Sequence, residues 1–170
     1  MTRLEIVDLP ADRTAGDVLL VPLFTDQRPL QGPAAVVDWR LDGAVTQLLR
    51  DGAVTGRRGE CLGLQTSHKF AAPRLVLVGG GRWQALDHPR YQSLVERLLQ
   101  VADSVGAREA ALCLPPHPRA DAAAVAEMVR IALAGSRRLS LCRLSRETGL
   151  RPGAISPQQG IDQSIQVLQE

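Results

Sequence analysis

After Asp17, seven consecutive residues, Val18-Leu19-Leu20-Val21-Pro22-Leu23-Phe24, run without a polar side chain. Half-buried strands alternate, so an unbroken apolar run of this length reads as a strand covered on both faces. The rest of the chain must then supply layers on each side of it.

It has the material to do so. Before the run, Leu4-Glu5-Ile6-Val7-Asp8-Leu9 alternates loosely and predicts a first strand. After it, Pro29, Gly32 and Pro33 mark a loop. Ala34 to Leu49 then repeats its apolar residues at helical spacing, with a break near Trp39, and stops at Gly52. Glu60 to Thr66 and Arg74 to Val78 predict two more strands, parted by a polar turn that holds His68 and Lys69. Leu94, Leu98, Val101 and Val105 give the segment from Pro89 to Val105 one apolar helical face, closed by Gly106. A strand at Glu109 to Leu114, an alanine-rich helix at Ala120 to Ala134 and a strand at Leu139 to Leu144 complete the order. This order predicts an α/β fold, a three-layer α/β/α sandwich around a mixed, mostly parallel sheet of about six strands.

The 170 residues suit one domain, placed at 1–145. Residues 146–170 read as a linker, broken by Gly149, Pro152, Gly153, Pro157 and Gly160, and a short C-terminal segment. In that segment Ile161, Ile165 and Leu168 fit a helix, while Ile165 and Val167 fit an edge strand. It packs on its own domain or on a partner.

Composition excludes several classes. A mean hydropathy of −0.04 and 22% charged residues speak against a membrane span and against wholesale disorder. The N-terminus lacks the apolar stretch of a secretory signal, so the cytoplasm is the expected compartment. Net charge is only +2, with 20 basic and 18 acidic residues interleaved, so no nucleic-acid partner is expected. Lys69 is the only lysine, and the abundance of arginine reads as coding bias rather than phosphate recognition.

No cofactor, metal or nucleophile is expected either. Cys61, Cys113 and Cys142 each neighbour a leucine in a predicted strand and read as buried thiols. Asp8, Asp12, Asp17, Asp38 and Asp42 fit solvated or capping roles. His68, His88 and His117 fall in unrelated loops, lack ligand spacing and read as surface histidines. No GxSxG elbow surrounds a serine. One feature has a binding mechanism. Gly79-Gly80-Gly81, followed by Arg82 and Trp83, ends an apolar strand, where glycines allow close approach and main-chain N–H groups can cradle a phosphate. The glycines also fit a plain sharp turn, and Trp83 fits either stacking on a ligand or covering the sheet edge.

Several motifs also agree in order with a known family. Val21-Pro22-Leu23-Phe24, Gly32-Pro33-Ala34-Ala35, Asp38, Leu48-Leu49-Arg50-Asp51-Gly52, Gly56-Arg57-Arg58-Gly59-Glu60 and Leu75-Val76-Leu77-Val78-Gly79-Gly80-Gly81 resemble the N-terminal domain of leucyl (cytosol) aminopeptidases. The resemblance covers roughly residues 15–135 and implies a macro-domain-like fold. In that family the two-metal peptidase chemistry sits in a separate C-terminal domain around an N-T-D-A-E-G-R stretch. This sequence has none, so no catalytic residue carries over. The implied function is that of a stand-alone, catalytically inactive relative acting as a binding or assembly module. Its partner would be another protein, such as a separate catalytic subunit, or further copies of itself. The alternative is a phosphate-containing small molecule, a nucleotide or ADP-ribose, at Gly79, Gly80, Gly81 and Arg82. Metal-dependent aminopeptidase activity ranks below both. DNA binding, known for some bacterial members, ranks last.

Overall fold

The computed structural model describes residues 1–117 and 119–146; the linker and C-terminal segment expected at 146–170 lie outside them except for Arg146. Six strands, β1 (Arg3–Val7), β2 (Val18–Phe24), β3 (Cys61–Gln65), β4 (Arg74–Gly81), β5 (Glu109–Cys113) and β6 (Leu141–Ser145), form one sheet in the order β1-β6-β5-β2-β4-β3. All neighbours are parallel except β3, which runs antiparallel to β4. The seven apolar residues of β2 are all buried, at the centre of the sheet. Successive residues point to opposite faces. Val18 and Leu20 enter one core, Leu19, Val21 and Leu23 the other.

Helices fill both faces, which makes the three layers. On one side lie α1 (Gly32–Arg40) and α2 (Ala44–Arg50), which bury Val36, Val37 and Val45 against Leu75 and Leu77. The expected break is real and falls just after Trp39. Asp42 and Gly43 take φ of 56° and 80°, and Asp38 reaches across to accept from the N–H (2.9 Å) and hydroxyl (2.6 Å) of Thr46. Those bonds satisfy donors that the first turn of α2 leaves open. On the other side lie α3 (His88–Ser104) and α4 (Ala122–Leu133), capped by Asp87 and Asp121, with Tyr91, Leu98, Met128 and Val129 inside.

Three expectations need correction. Cys61 is exposed, because β3 is an edge strand and only Leu62 and Leu64 on its other face turn inward. His117 is buried, because the proline-bracketed loop after β5 lays its ring 4.7 Å from that of Tyr91. Gly79, Gly80 and Gly81 are part of β4 rather than a turn beyond it, because Gly79 and Gly81 still pair with Leu23 and Phe24 of β2. Cys113 and Cys142 are buried as expected. Among the described residues no helix is long and apolar enough to cross a membrane.

Candidate arginine-lined cleft

The C-terminal end of β4 stays open. It forms the floor of a cavity of about 700 Å³ between α3 and the loop that leads into β3. Gly79, Gly80, Gly81 and Arg82, the residues singled out in the sequence, all line it. So do four arginines that the sequence reading left to composition. Arg57 and Arg58 come from the loop before β3, and Arg90 and Arg97 from one face of α3, about two turns apart. No aspartate or glutamate is among the lining residues.

The loop that carries Arg57 and Arg58 is held by Glu60. Its carboxylate accepts from the Thr55 hydroxyl (2.6 Å) and from the N–H groups of Thr55 (2.9 Å) and Gly56 (2.8 Å). These bonds, the Thr55 hydroxyl foremost, hold the Glu60 carboxyl below its ordinary pKa. The opposite rim is held by Asp26, which accepts from the N–H groups of Trp83 (2.7 Å) and Gln84 (3.1 Å). Burial opposes the charge of Asp26, yet these N–H bonds keep its carboxyl below the usual range. Trp83 itself packs against the core on the α3 side and does not line the cavity.

Two of the expected phosphate donors are already used. Gly79 N–H donates to Glu60 O (2.8 Å) and Gly81 N–H to Gly56 O (2.9 Å). The guanidiniums are freer. Arg90 donates to Asp87 (3.2 Å) and to Ala85 O (3.0 Å), and Arg97 to the Cys61 sulfur at 3.8 Å. Those of Arg57, Arg58 and Arg82 donate no hydrogen bond among the described residues. What the arrangement offers chemically is concentrated positive charge, offset at Arg90 by its ion pair with Asp87, beside small main-chain surface. It has no acid–base pair, and among the described residues no group of three His, Cys, Asp or Glu converges as a metal site would.

Sheet order, the single antiparallel edge strand and helices on both faces define a macro-domain-like α/β/α protein. A Trypanosoma brucei macrodomain in complex with ADP-ribose superposes with a TM-score of 0.59 at 18% identity, covering 84% of this chain and 62% of that one. A tomato leucine aminopeptidase mutant superposes with a TM-score of 0.63 at 20% identity, covering 89% of this chain and 34% of that one. Sequence narrows the class. Residues 20–139 match the profile of the cytosol aminopeptidase family, N-terminal domain, and the chain belongs to that family. It is 32% identical over 93 residues to a probable cytosol aminopeptidase of Thioalkalivibrio sulfidiphilus, a match covering 55% of this chain and 19% of the relative. The chain thus spans about a fifth of the length of such relatives.

Proposed function

We propose that residues 1–145 form a non-catalytic binding module, and that its ligand is a phosphate-bearing small molecule of the nucleotide or ADP-ribose type. The observation that carries this reading is the charge of the cleft. Arg57, Arg58, Arg82, Arg90 and Arg97 surround one cavity at the C-terminal end of a parallel strand, its lining holds no carboxylate, and among the described residues only Arg90 of the five forms an ion pair, with Asp87. Open α/β sheets bind ligands on that edge, and about 700 Å³ is the size of a small-molecule site. A guanidinium presents paired N–H donors that match two phosphate oxygens. Since the Gly79 and Gly81 N–H groups are taken, the glycines serve by lacking side chains and the arginines supply the attraction. The likeness in fold to a macrodomain bound to ADP-ribose supports the ligand class. The expected cytoplasmic setting is where such ligands are abundant.

Thermal unfolding of the purified chain against ADP-ribose, NAD and ATP tests this. Saturating ligand at a hundredfold over its Kd adds about 2.7 kcal/mol, a rise in Tm of several degrees. No rise with any of them overturns it.

A second reading, assembly with an aminopeptidase catalytic region or with further copies of this chain, is favoured by membership of the family through its N-terminal domain. Co-purification with such a catalytic chain tests it. Neither reading places a hydrolytic step on the described residues.

A further inference from the structure

The outer edge of β3 is unlike the other edge of the sheet. Glu60 O accepts from Gly79 N and Thr66 N donates to Pro73 O, so Leu62 and Leu64 turn their main-chain groups to β4. By the alternation of an antiparallel pair, Cys61, Gly63 and Gln65 turn theirs outward. Among the described residues β3 is the last strand of the sheet, so these groups have no neighbouring strand there. Soluble proteins blunt such edges with charge or proline. β1, at the opposite edge, carries Arg3 and Glu5, whereas β3 reads Cys-Leu-Gly-Leu-Gln and carries neither.

The two faces of this edge differ. On the α3 side, Cys61, Gly63 and Gln65 are exposed, a Cβ on Gly63 would meet nothing within 4 Å, and Arg97 lies against Cys61. Arg57 and Arg58 precede the strand by a few residues. On the α1–α2 side, Leu62 and Leu64 are only partly buried and offer apolar surface.

We propose that the β3 edge is a docking strip for an extended segment of a partner protein, with acidic and apolar residues in alternation, which adds to the sheet as a further strand. Its main chain pairs with the outward groups of Cys61, Gly63 and Gln65. Its acidic side chains fall on the α3 side, beside Arg57, Arg58 and Arg97, and its apolar ones cover Leu62 and Leu64. Charge complementarity selects the acidic segment, and the unpaired main chain selects a peptide over a nucleic acid. This goes beyond the small-molecule reading and does not depend on it.

The test is fluorescence anisotropy of the full chain with a labelled short peptide alternating glutamate and valine. Three comparators are the same peptide N-methylated on the main-chain nitrogens of alternate residues, its lysine-for-glutamate counterpart, and an oligothymidylate. Saturable binding of the acidic peptide is expected, weakened about tenfold or more by N-methylation, since main-chain bonds are lost without touching the protein. Gly63→Pro removes only an outward N–H and should weaken the peptide about tenfold at unchanged Tm, because proline is tolerated at such edge positions. It should leave any thermal stabilisation by ADP-ribose intact, so the two readings fail separately. Arg57→Glu and Arg97→Glu should each reduce peptide binding. The proposal is overturned if the acidic peptide does not bind, if the N-methylated or lysine peptide binds equally well, or if the oligothymidylate binds more tightly than the peptide.

Discussion

A Cβ built on Gly79 stands 1.8 Å from the carbonyl oxygen of Arg57. The two main chains touch where the loop before β3 crosses the end of β4, and hydrogen bonds from Gly79 to Glu60 and from Gly81 to Gly56 fix the crossing. Gly79 is therefore required by the fold, and through it by the position of Arg57 and Arg58. Gly79→Ala should lower stability by at least about 2 kcal/mol in urea unfolding, because backbone on both sides leaves nowhere to relax. Wild-type stability in that variant would show that the loop yields freely.

Charge reversal at Arg82 separates ligand binding from folding. Arg82 is exposed, lines the cleft and donates no side-chain hydrogen bond. Arg82→Glu should leave the Tm of the free protein within a degree or two while abolishing stabilisation by a phosphate ligand. Gly80→Glu is a poor substitute, since a Cβ there meets the Phe24 ring at 2.5 Å. Undiminished stabilisation in Arg82→Glu would move the ligand away from this rim.

On the opposite face, Asp12 and Arg40 form a buried ion pair, with Nε 3.1 Å from the carboxylate and side chains 10% and 8% exposed. Arg40 also donates to Lys69 O at 2.7 Å, tying α1 to the loop between β3 and β4. Removing one partner strands the other charge, so Arg40→Ala should cost about 3–5 kcal/mol by chemical denaturation. Asp12→Ala combined with Arg40→Ala should cost less than the sum of the single variants. Additive losses would mean that the two do not act as a pair.

The layers were legible because each depends on local pattern. The unbroken run of β2 marks burial on two faces, and the apolar face of α3 marks the helix that covers one of them. Cys61 shows the limit of reading neighbours. The neighbouring Leu62 suggested a buried strand, but the alternation Cys61, Gly63, Gln65 against Leu62, Leu64 carries the signal of a half-exposed one. The glycines and Arg82 were legible as candidates for the cleft because they are contiguous. Arg57, Arg58, Arg90 and Arg97 were not, since they converge only when β3 folds back on β4 and α3 packs alongside. Nor could the sequence reveal that the Arg57 carbonyl leaves no room for a side chain at Gly79.

Acid should act on stability and on the cleft through different carboxylates. Asp17 accepts from the N–H groups of Glu109 (3.0 Å) and Arg108 (2.8 Å) at the start of β5, which holds its carboxyl below the ordinary 3.8. Glu60, held by Thr55, lies below the ordinary 4.5. A depressed folded-state pKa contributes stability that is present above the unfolded value and is lost as pH falls through the folded one. The share held by these two carboxylates should thus be flat above about pH 5 and fall below 4.5 and then 3.8, while the His117 imidazole, which burial holds below its ordinary 6.5, adds an earlier loss as pH falls through that value. Asp17→Asn should shrink the acid loss, and Glu60→Gln should in addition weaken binding in the cleft at neutral pH. An acid limb unchanged in Asp17→Asn would remove Asp17 from this account.

The three thiols should differ sharply in reactivity. Cys113 and Cys142 are fully buried in neighbouring strands, and burial pushes both up to about 12. A thiol there is neither ionised at neutral pH nor reachable by a reagent. Cys61 is exposed on β3 with Arg97 3.8 Å from its sulfur. An aromatic disulfide reagent at neutral pH should therefore titrate one thiol quickly in the native protein and the other two only as the sheet opens. Cys61→Ser should delete the fast phase alone. The slow phase then reports the opening free energy of β5 and β6, which should approach that of global unfolding because both strands lie inside the sheet. Fast reaction of more than one thiol would show that β5 or β6 opens well below the global transition. It would also contradict the burial from which both raised values follow.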